Sequence, residues 1–270
     1  MPDVKNQRKK TVRAALVIIG DEILSGRTKD ANLNYLANWL GELGITLSEV
    51  RVVADDKDAV VRAVNDCRPR YDYVFTTGGI GPTHDDITAQ CIAAAFNVPL
   101  EVNPEAQRIL ESYHGEGDVN KARMRMARVP SGATLIDNPV SAAPGFQMDN
   151  VFVLAGIPVV MQAMLEKLRD RLEGGAIVTS KSLTVHAGES NIAALLTAVQ
   201  DRHEALSVGS YPFFRLSKGG EGRVGTCLVF RGVDGGDIDA AIDETKFALE
   251  QISVEYEDGE PLLPHHKKQG

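Results

Sequence analysis

Acidic side chains crowd a glycine-rich loop near the middle of the chain. The loop reads Gly78-Gly79-Ile80-Gly81-Pro82-Thr83-His84-Asp85-Asp86 and follows the strand-like run Tyr71–Thr77. Glycine leaves backbone N–H groups open to a ligand, and the helix predicted at Ile87–Phe96 would add donors with partial positive charge at its start. The segment therefore predicts a phosphate seat. It is neither a Walker A loop nor a dinucleotide fingerprint, because the required Gly-Lys-Ser/Thr and third glycine are missing.

The paired acids of this loop need an explanation at an anion seat. One interpretation is structural: Thr83 caps the following helix and Asp86 completes a capping box. The other is a divalent cation, because two carboxylates about 4 Å apart repel by roughly 4 kcal/mol at an effective dielectric near 20. A bridging Mg²⁺ would turn that repulsion between Asp85 and Asp86 into attraction. Asp55 and Asp56, which follow another strand, either join this site or are solvated turn residues.

Three other polar residues are ambiguous from the sequence alone. His84 suits a metal, a phosphate or a proton transfer, and equally an ordinary surface loop. Asp21 and Glu22 either ligate a cation or hydroxyl or form a solvated turn. No Ser/His/Asp triad or Cys/His pair is indicated. Metal-assisted attack of water on a phosphate is therefore the catalytic class that these residues suit best.

The elements that would position these groups alternate between strand and helix over the first 170 residues. This order predicts an α/β fold with a mainly parallel sheet, helices on both faces and ligands at the carboxyl ends of the strands. The predicted strands are Ala14–Ile19, Leu47–Val53, Tyr71–Thr77 and Val151–Leu154, and the predicted helices are Leu33–Leu43, Ala59–Val64 and Ile87–Phe96. Four segments are then candidates for the ligand site: Gly20–Arg27, Ala54–Asp56, the glycine loop and the turn-rich Asn138–Phe146.

A small second domain is predicted beyond a linker at Glu173-Gly174-Gly175. The pattern there is typical of a β-α-β-β-α set, with elements at Ser182–His186, Asn191–Arg202, Leu206–Phe214, Arg223–Arg231 and Ile238–Ile252. We therefore expect a first domain over residues 13–172, a small α+β domain over 176–254, and loose tails over 1–12 and 255–270.

Composition limits the classes of partner. The chain has 270 residues with 29 Lys and Arg against 37 Asp and Glu, a net charge of −8. Such an acidic chain is a poor general binder of nucleic acid or anionic membrane. The longest apolar run, Val151–Leu165, is too short to cross a bilayer, the basic N-terminus lacks a secretory signal, and the three cysteines lack CxxC spacing. We expect reduced thiols, no membrane span and no nucleic-acid partner.

Together these motifs resemble the molybdopterin-binding-type domain of the CinA family, which is itself similar to the MoaB and MogA proteins. The resemblance covers roughly residues 13–170 and is carried by Gly20–Gly26, Asn32, Asp55-Asp56, Thr77–Thr88 and Ala143–Phe146. Ala187–Ser190 and Gly209–Pro212 resemble the small domain that follows in CinA proteins. The amidohydrolase domain that often ends CinA proteins has no counterpart in this sequence.

The resemblance implies a three-layer α/β/α fold and a cytoplasmic homo-oligomer, a dimer or trimer. It also implies a small-molecule nucleotide or pterin as the partner. It implies one of two roles: hydrolysis of ADP-ribose with a divalent metal (Mg, Mn, Co or Ni), or binding of molybdopterin and its adenylylation with ATP. The second role depends on two acids, which Asp55 or Asp56 and Asp85 or Asp86 match. The catalytic candidates are thus Asp55, Asp56, Asp85 and Asp86, and the metal-ligand candidates are Asp55, Asp85 and Asp86.

The ligand-binding candidates lie on the same segments as these acids. They are Gly20, Asp21, Glu22, Thr77, Gly78, Gly79, Gly81, Pro82, Thr83, Thr88, Ser141, Pro144 and Gly145.

Two segments depart from the family pattern. Where the family usually has Gly-Thr-Ala-Pro-Gly, this chain has Ser141-Ala142-Ala143-Pro144-Gly145. Where the family has Pro-Gly-Val-Pro-x-Glu-Met, residues 155–161 read Ala-Gly-Ile-Pro-Val-Val-Met, so Val160 replaces a glutamate. If that glutamate holds the cation or activates water, hydrolysis is weakened or lost here. That loss favours the molybdopterin role. A third hypothesis is a non-catalytic regulatory binder, because the small second domain has no catalytic signature of its own.

Overall fold

The computed structural model describes residues 11–115, 119–216 and 222–261, with side chains at all of them except 215, 216, 222 and 223. The chain divides into two compact units between Ala176 and Ile177. The parts of the expected tails at residues 1–10 and 262–270 lie outside the described residues.

The first unit is built on a six-stranded, mostly parallel sheet. Its strands are β1 (Val12–Ile19), β2 (Ile45–Val53), β3 (Tyr73–Thr77), β6 (Thr134–Ile136), β7 (Gly145–Met148) and β8 (Val151–Leu154), in the order β2-β1-β3-β8-β7-β6. The pairs β1/β2, β1/β3 and β3/β8 are parallel, whereas β7 and β6 continue the sheet antiparallel. A separate antiparallel pair is formed by β4 (Leu100–Val102) and β5 (Arg128–Pro130).

Helices cover both faces of this sheet, which confirms the predicted three-layer α/β/α arrangement. They are α1 (Asp21–Leu24), α2 (Asn32–Glu42), α3 (Lys57–Cys67), α4 (Thr88–Phe96), α5 (Pro104–His114), α6 (Lys121–Arg125) and α7 (Pro158–Glu166). One core contains buried residues of α2 and α7, and the core on the opposite face contains buried residues of α3 and α4.

The continuous apolar run of β1 is explained by burial on both faces. Successive side chains of a strand point to opposite faces of its sheet. Accordingly Leu16 and Ile18 pack in the core with α2 and α7, whereas Val17 and Ile19 pack in the core with α3 and α4. The strand therefore places its carboxyl end, Gly20, at a fixed point in the middle of the sheet edge.

Several elements between residues 97 and 137 were not predicted from the sequence. The strands β4, β5 and β6 have three residues each, which is too few for a recognisable alternation. Helix α5 did carry a signal: Asn103 caps it by accepting from the N–H groups of Glu105 and Ala106, and Pro104 occupies its first turn. This combination is typical of a helix start.

The second unit is a four-stranded antiparallel sheet with two helices. It contains β9 (Thr179–Val185), α8 (Glu189–Arg202), β10 (Ser207–Leu216), β11 (Gly222–Gly232), α9 (Gly235–Gln251) and β12 (Tyr256–Asp258), with strand order β10-β11-β9-β12. Its core joins both helices to β9 and β11. One expectation is corrected here, because residues 256–258 pair with β9 as an edge strand rather than forming part of a loose tail.

Two further expectations concern cysteines and membranes. All three cysteines are buried and unpaired. Among the described residues, no helix combines the length and the apolar character that crossing a bilayer demands.

Candidate functional site

The carboxyl ends of β1 and β2 bring two predicted segments together. The N–H of Gly20 donates to the carbonyl of Val53 at 3.1 Å, which joins the end of one strand to the end of the other. Immediately beyond, the N–H of Asp21 donates to Oδ2 of Asp55 at 3.0 Å. The Asp55 carboxylate is thereby held at the start of the short helix α1, at the edge of the sheet where ligands bind in parallel folds.

Asp55 lies in an electrostatically unfavourable place for a carboxylate. Partial burial raises its pKa, although the hydrogen bond from the Asp21 N–H acts in the opposite direction. The neighbouring carboxylates of Asp21, Glu22 and Asp85 raise the pKa further. A group that is destabilised as an anion by desolvation and by other anions is a strong attractor for a cation.

Asp56 has a different position from the one expected of a catalytic acid. Its side chain accepts the N–H of Ala59 at 2.8 Å and caps the N-terminus of α3. Of the two adjacent acids, only Asp55 lines the large cavity between the glycine loop and the end of β1. The geometry therefore supports a ligand role for Asp55 and a helix-capping role for Asp56.

The glycine loop passes close to the end of β1. Gly78 has φ of 100°, and a Cβ there would lie 2.1 Å from the carbonyl oxygen of Ile19. Gly79 has φ of 66°, and its Cβ would lie 2.3 Å from the hydroxyl of Thr88. That hydroxyl donates to the Gly78 carbonyl at 2.8 Å, and the Thr88 N–H donates to the Gly79 carbonyl at 3.0 Å. The first two glycines are thus required by the fold of the loop, which Thr88 fixes to the start of α4.

In place of the predicted capping box, Thr83 and Asp86 are hydrogen-bonded to each other within the loop. Both the N–H and the hydroxyl of Thr83 donate to Oδ2 of Asp86, the former at 2.8 Å. Helix α4 begins only at Thr88, and its N-cap residue Ile87 makes no side-chain cap. The prediction that Thr83 caps this helix was therefore wrong, because the loop continues for four residues beyond the threonine before the helix starts.

The other two polar residues of this loop face solvent. His84 and Asp85 are both exposed, and His84 Nδ1 lies 3.8 Å from Oδ1 of Asp85. The pKa of Asp85 is lowered, first by the Thr83 hydroxyl and further by its own backbone N–H and the charges of His84 and Arg125. Asp85 is therefore readily ionised, and its charge contributes to the raised pKa of Asp55.

The fourth predicted segment is organised by Asn138. Its Nδ2 donates to the Ser141 hydroxyl and to the Ala143 carbonyl, each at 2.8 Å. Its Oδ1 accepts the N–H groups of Val140 and Ser141, each at 3.1 Å. Asn138 was not among the predicted site residues, although it lay within the predicted segment and its side chain lines the groove.

These segments enclose a groove of about 790 Å³. A volume of this size suits a ligand as large as a dinucleotide or a pterin with its side chain. The predicted residues that line it are Gly20, Glu22, Asp55, Gly78, Gly79, Gly81, Pro82, Asp85, Asp86 and Ser141. We call this cavity the groove.

The remaining predicted residues do not line the groove. Asp21 and Thr88 hold backbone and loop positions through the contacts described above. A Cβ at Gly145 would lie 2.3 Å from the Val153 carbonyl, so this glycine permits the close approach of β7 to β8. Pro144 lines a much smaller neighbouring cavity of about 40 Å³ beside α6. Thr77 lies in a separate side pocket, described below.

Several residues that line the groove were not predicted from the sequence. They include Tyr113 and His114 at the end of α5, Arg123 and Met126 in and after α6, and Gly156. The ring of Tyr113 lies edge-on to that of His114, with 4.9 Å between centroids. The cap signal at Asn103-Pro104 could have located α5, but no local pattern indicates that its C-terminal end reaches the ligand site.

The carboxylates that line the groove do not form a complete metal site by themselves. Among the residues that the structure describes, no group of three or more His, Cys, Asp or Glu side chains is arranged to hold a metal ion. A cation bound between Asp55 and Asp85 would therefore need oxygen ligands from a phosphate or from water, which is the usual coordination of Mg²⁺.

Val160 occupies a wall of the same groove. It lies in the first turns of α7, is only 4% exposed, and packs in the core that contains α2. It also lines the groove. A glutamate at this position would reach the groove from a largely buried stem, whereas valine contributes only an apolar surface.

A family described as a probable molybdopterin binding domain matches residues 15–174. A second family, described as the middle domain of FAD synthase, matches residues 162–258. The two matches together cover most of both compact units.

Three known proteins are similar to parts of the chain. A crystal structure of the protein CinA, of unknown function, from Thermoplasma acidophilum is 31% identical, has a TM-score of 0.57, and covers 60% of this chain and 98% of its own. A CinA-like protein of Geobacter sp. (strain M21) is 37% identical over 175 residues, which are 61% of this chain and 42% of that protein. A probable FAD synthase of Caenorhabditis elegans is 31% identical over 225 residues, or 74% of this chain and 43% of the relative. The chain thus spans less than half the length of these last two relatives.

Proposed function

Because this chain belongs to the family of probable molybdopterin-binding domains and is CinA-like, we propose that its groove binds a nucleotide diphosphate such as ADP-ribose with a divalent cation and hydrolyses it. The observation that carries the proposal is the partly buried Asp55 carboxylate, whose pKa is raised by burial and by three neighbouring carboxylates beside a glycine loop. A cation between these acids and an anionic ligand would replace their mutual repulsion by attraction.

In this proposal each part of the site has a separate role. The backbone of Gly79 and Gly81 contacts the phosphates, since glycine allows the closest approach, whereas the Gly78 N–H already donates to the Leu154 carbonyl at 3.3 Å. Asp55 and Asp85 hold the cation, which supplies charge neutralisation at the phosphate and activation of a water molecule. Asp86 is occupied by Thr83 and keeps the loop in its shape.

The proposal is tested by measuring release of AMP from ADP-ribose by the purified chain. We expect release with at least one of Mg²⁺, Mn²⁺, Co²⁺ and Ni²⁺ and none after chelation. Binding of ADP-ribose, measured by calorimetry, should also weaken when the metal is removed. Absence of AMP with every metal, together with equal binding in the presence and absence of metal, would contradict the proposal.

A second function is favoured by one observation, the valine at position 160. Without the glutamate usual in the family, the groove retains its phosphate seat and its acids but has one carboxylate fewer for activating water. Binding of molybdopterin, or its adenylylation with ATP, would then be the role of the site. A pterin fluorescence change on titration, together with no AMP release from ADP-ribose, would favour this function. FAD should be titrated in the same way, because one relative is named a probable FAD synthase.

Restoring the glutamate separates the two functions. We expect Val160→Glu to raise metal-dependent hydrolysis of ADP-ribose at least about tenfold, since it adds a carboxylate at the wall of the groove. The same change should lower the free energy of unfolding of the metal-free protein by about 3 kcal/mol, because the site is almost fully buried. Val160→Gln is the matched control: it has a similar size and burial cost but no charge, and should leave hydrolysis unchanged. Equal activities of the two variants would show that position 160 does not limit turnover.

A further inference from the structure

Two buried oxygen atoms beside the groove have no hydrogen-bond partner. They are Oδ1 of Asn32, in a residue 4% exposed, and Oγ1 of Thr77, in a residue 1% exposed. Buried polar groups without a partner are rare in native proteins, because each loses its hydration without compensation. Such a pair leaves two oxygens open to a donor supplied by a ligand.

The orientation of the Asn32 amide is set by its nitrogen. Nδ2 donates to the carbonyl of Gly156 at 2.7 Å. Turning the amide over would place Oδ1 against that carbonyl and lose this bond, since both oxygens are acceptors. Asn32 Oδ1 is therefore fixed as an acceptor, at the first residue of α2 and next to the end of β8.

A side pocket adjoins the groove. The side pocket has a volume of about 70 Å³ and is lined by Asn32 and Thr77. Glu22, Thr28 and Gly78 line both cavities, so they form the wall that the two share. The volume suits one small polar group rather than a whole aromatic ring system.

We infer that the side pocket receives a neutral N–H or O–H donor of the nucleotide bound in the groove, and that Asn32 and Thr77 accept from it. Two carboxylate residues, Glu22 and Asp30, also line the side pocket, but Asp30 accepts the N–H of Leu33 at 2.8 Å. Among the described residues no group of three or more His, Cys, Asp or Glu side chains is arranged to hold a metal ion, so a divalent cation suits this pocket poorly. The donor is either the exocyclic amine of the base or a hydroxyl of the ribose. This inference rests on the proposed function and names the part of that site which selects the ligand.

The test uses ADP-ribose with Mg²⁺ as the probe, and two analogues that each lack one donor. The inosine counterpart replaces the exocyclic amine by a carbonyl, and the deoxyribose counterpart lacks a ribose hydroxyl. We expect the wild-type chain to bind one of the two about fivefold more weakly than ADP-ribose, as one hydrogen bond implies. The analogue that loses affinity identifies the donor.

Thr77→Val should remove this discrimination between ADP-ribose and that analogue, whereas Thr77→Ser should retain it. The ligand-free Thr77→Val variant should unfold at the same temperature as the wild type or higher, since an unpaired hydroxyl is replaced by a methyl of the same shape. Thr76→Val is the matched control. Thr76 is equally buried, also has an unpaired hydroxyl, and points to the opposite face of the same strand. It should leave the discrimination intact.

Each outcome separates the inference from the proposed function. If the wild type binds ADP-ribose and both analogues equally, the side pocket holds only water and the inference is overturned, while the proposed function stands. If Thr77→Val keeps the wild-type discrimination, the inference is likewise overturned. If ADP-ribose does not bind at all, the proposed function fails and the inference fails with it. The analogue comparison needs no variant, so it remains decisive even if Thr77→Val does not fold.

Discussion

Asp55→Asn is expected to reduce metal-dependent release of AMP from ADP-ribose by at least about 100-fold. The variant keeps the acceptor for the Asp21 N–H, because the asparagine amide oxygen can replace Oδ2. What it loses is the charge that attracts the cation. Binding of ADP-ribose to the variant should accordingly become insensitive to the metal, as measured by calorimetry with and without a chelator.

The same variant should be more stable than the wild type when no metal is present. The pKa of Asp55 is raised in the folded protein, so the folded state holds its proton to higher pH than the unfolded chain does. Stability from this group is therefore complete below the ordinary aspartate pKa and is lost as the pH rises through the raised pKa. At neutral pH the charged Asp55 lowers the free energy of unfolding of the wild type, whereas the neutral asparagine of Asp55→Asn does not. Thermal unfolding should therefore show a higher midpoint for the variant.

Asp56→Asn is the matched control for both measurements. Asparagine caps helices as well as aspartate does, so α3 should keep its N-cap. Activity and metal dependence should remain close to those of the wild type. If Asp56→Asn abolished hydrolysis and Asp55→Asn did not, the roles inferred from the geometry would have to be exchanged.

Gly78→Ala is expected to have the largest effect on stability. The added Cβ would lie 2.1 Å from the carbonyl oxygen of Ile19, and φ of 100° is itself unfavourable for a residue with a side chain. We expect the free energy of unfolding, measured in urea, to fall by about 3 kcal/mol or more. The glycine loop should also be displaced, so the thermal shift on addition of ADP-ribose with Mg²⁺ should disappear.

Gly26→Ala separates the steric part of this effect from the backbone part. Gly26 also has a positive φ, 72°, but nothing lies within 4 Å of the position its Cβ would take. This variant should lose only about 1 kcal/mol and should keep the ligand-induced shift. Equal losses for the two variants would mean that the contact with Ile19 is relieved by a small movement of the loop.

The sheet and the location of the site were predictable because their signals are local. The apolar run of β1, the helical spacing of α2 and the glycine loop each reflect burial or backbone geometry within a few residues. Asp55 and the glycine loop are far apart in sequence, but their meeting was predictable from the fold class, because parallel strands end at one edge of the sheet. The resemblance to CinA is carried by these same residues and is confirmed by the family match.

The roles of individual polar side chains were less predictable, because each depends on which hydrogen-bond partner lies within reach in the folded chain. Asp55 and Asp56 are adjacent in sequence, yet one accepts from Asp21 and the other from Ala59. Thr83 pairs with Asp86 in the loop because the helix starts later than the spacing suggested. Tyr113 reaches the groove only through the path of α5, which no short pattern encodes.

The packing of β1 has a consequence for how this unit comes apart. Since alternate side chains of one strand belong to both cores, neither core can open without exposing the strand that the other depends on. The two helical layers should therefore melt as a single cooperative foldon rather than one after the other. The edge where Gly20, Asp55 and Gly78 meet lies at the end of that shared strand, so its geometry is preserved until the whole unit unfolds.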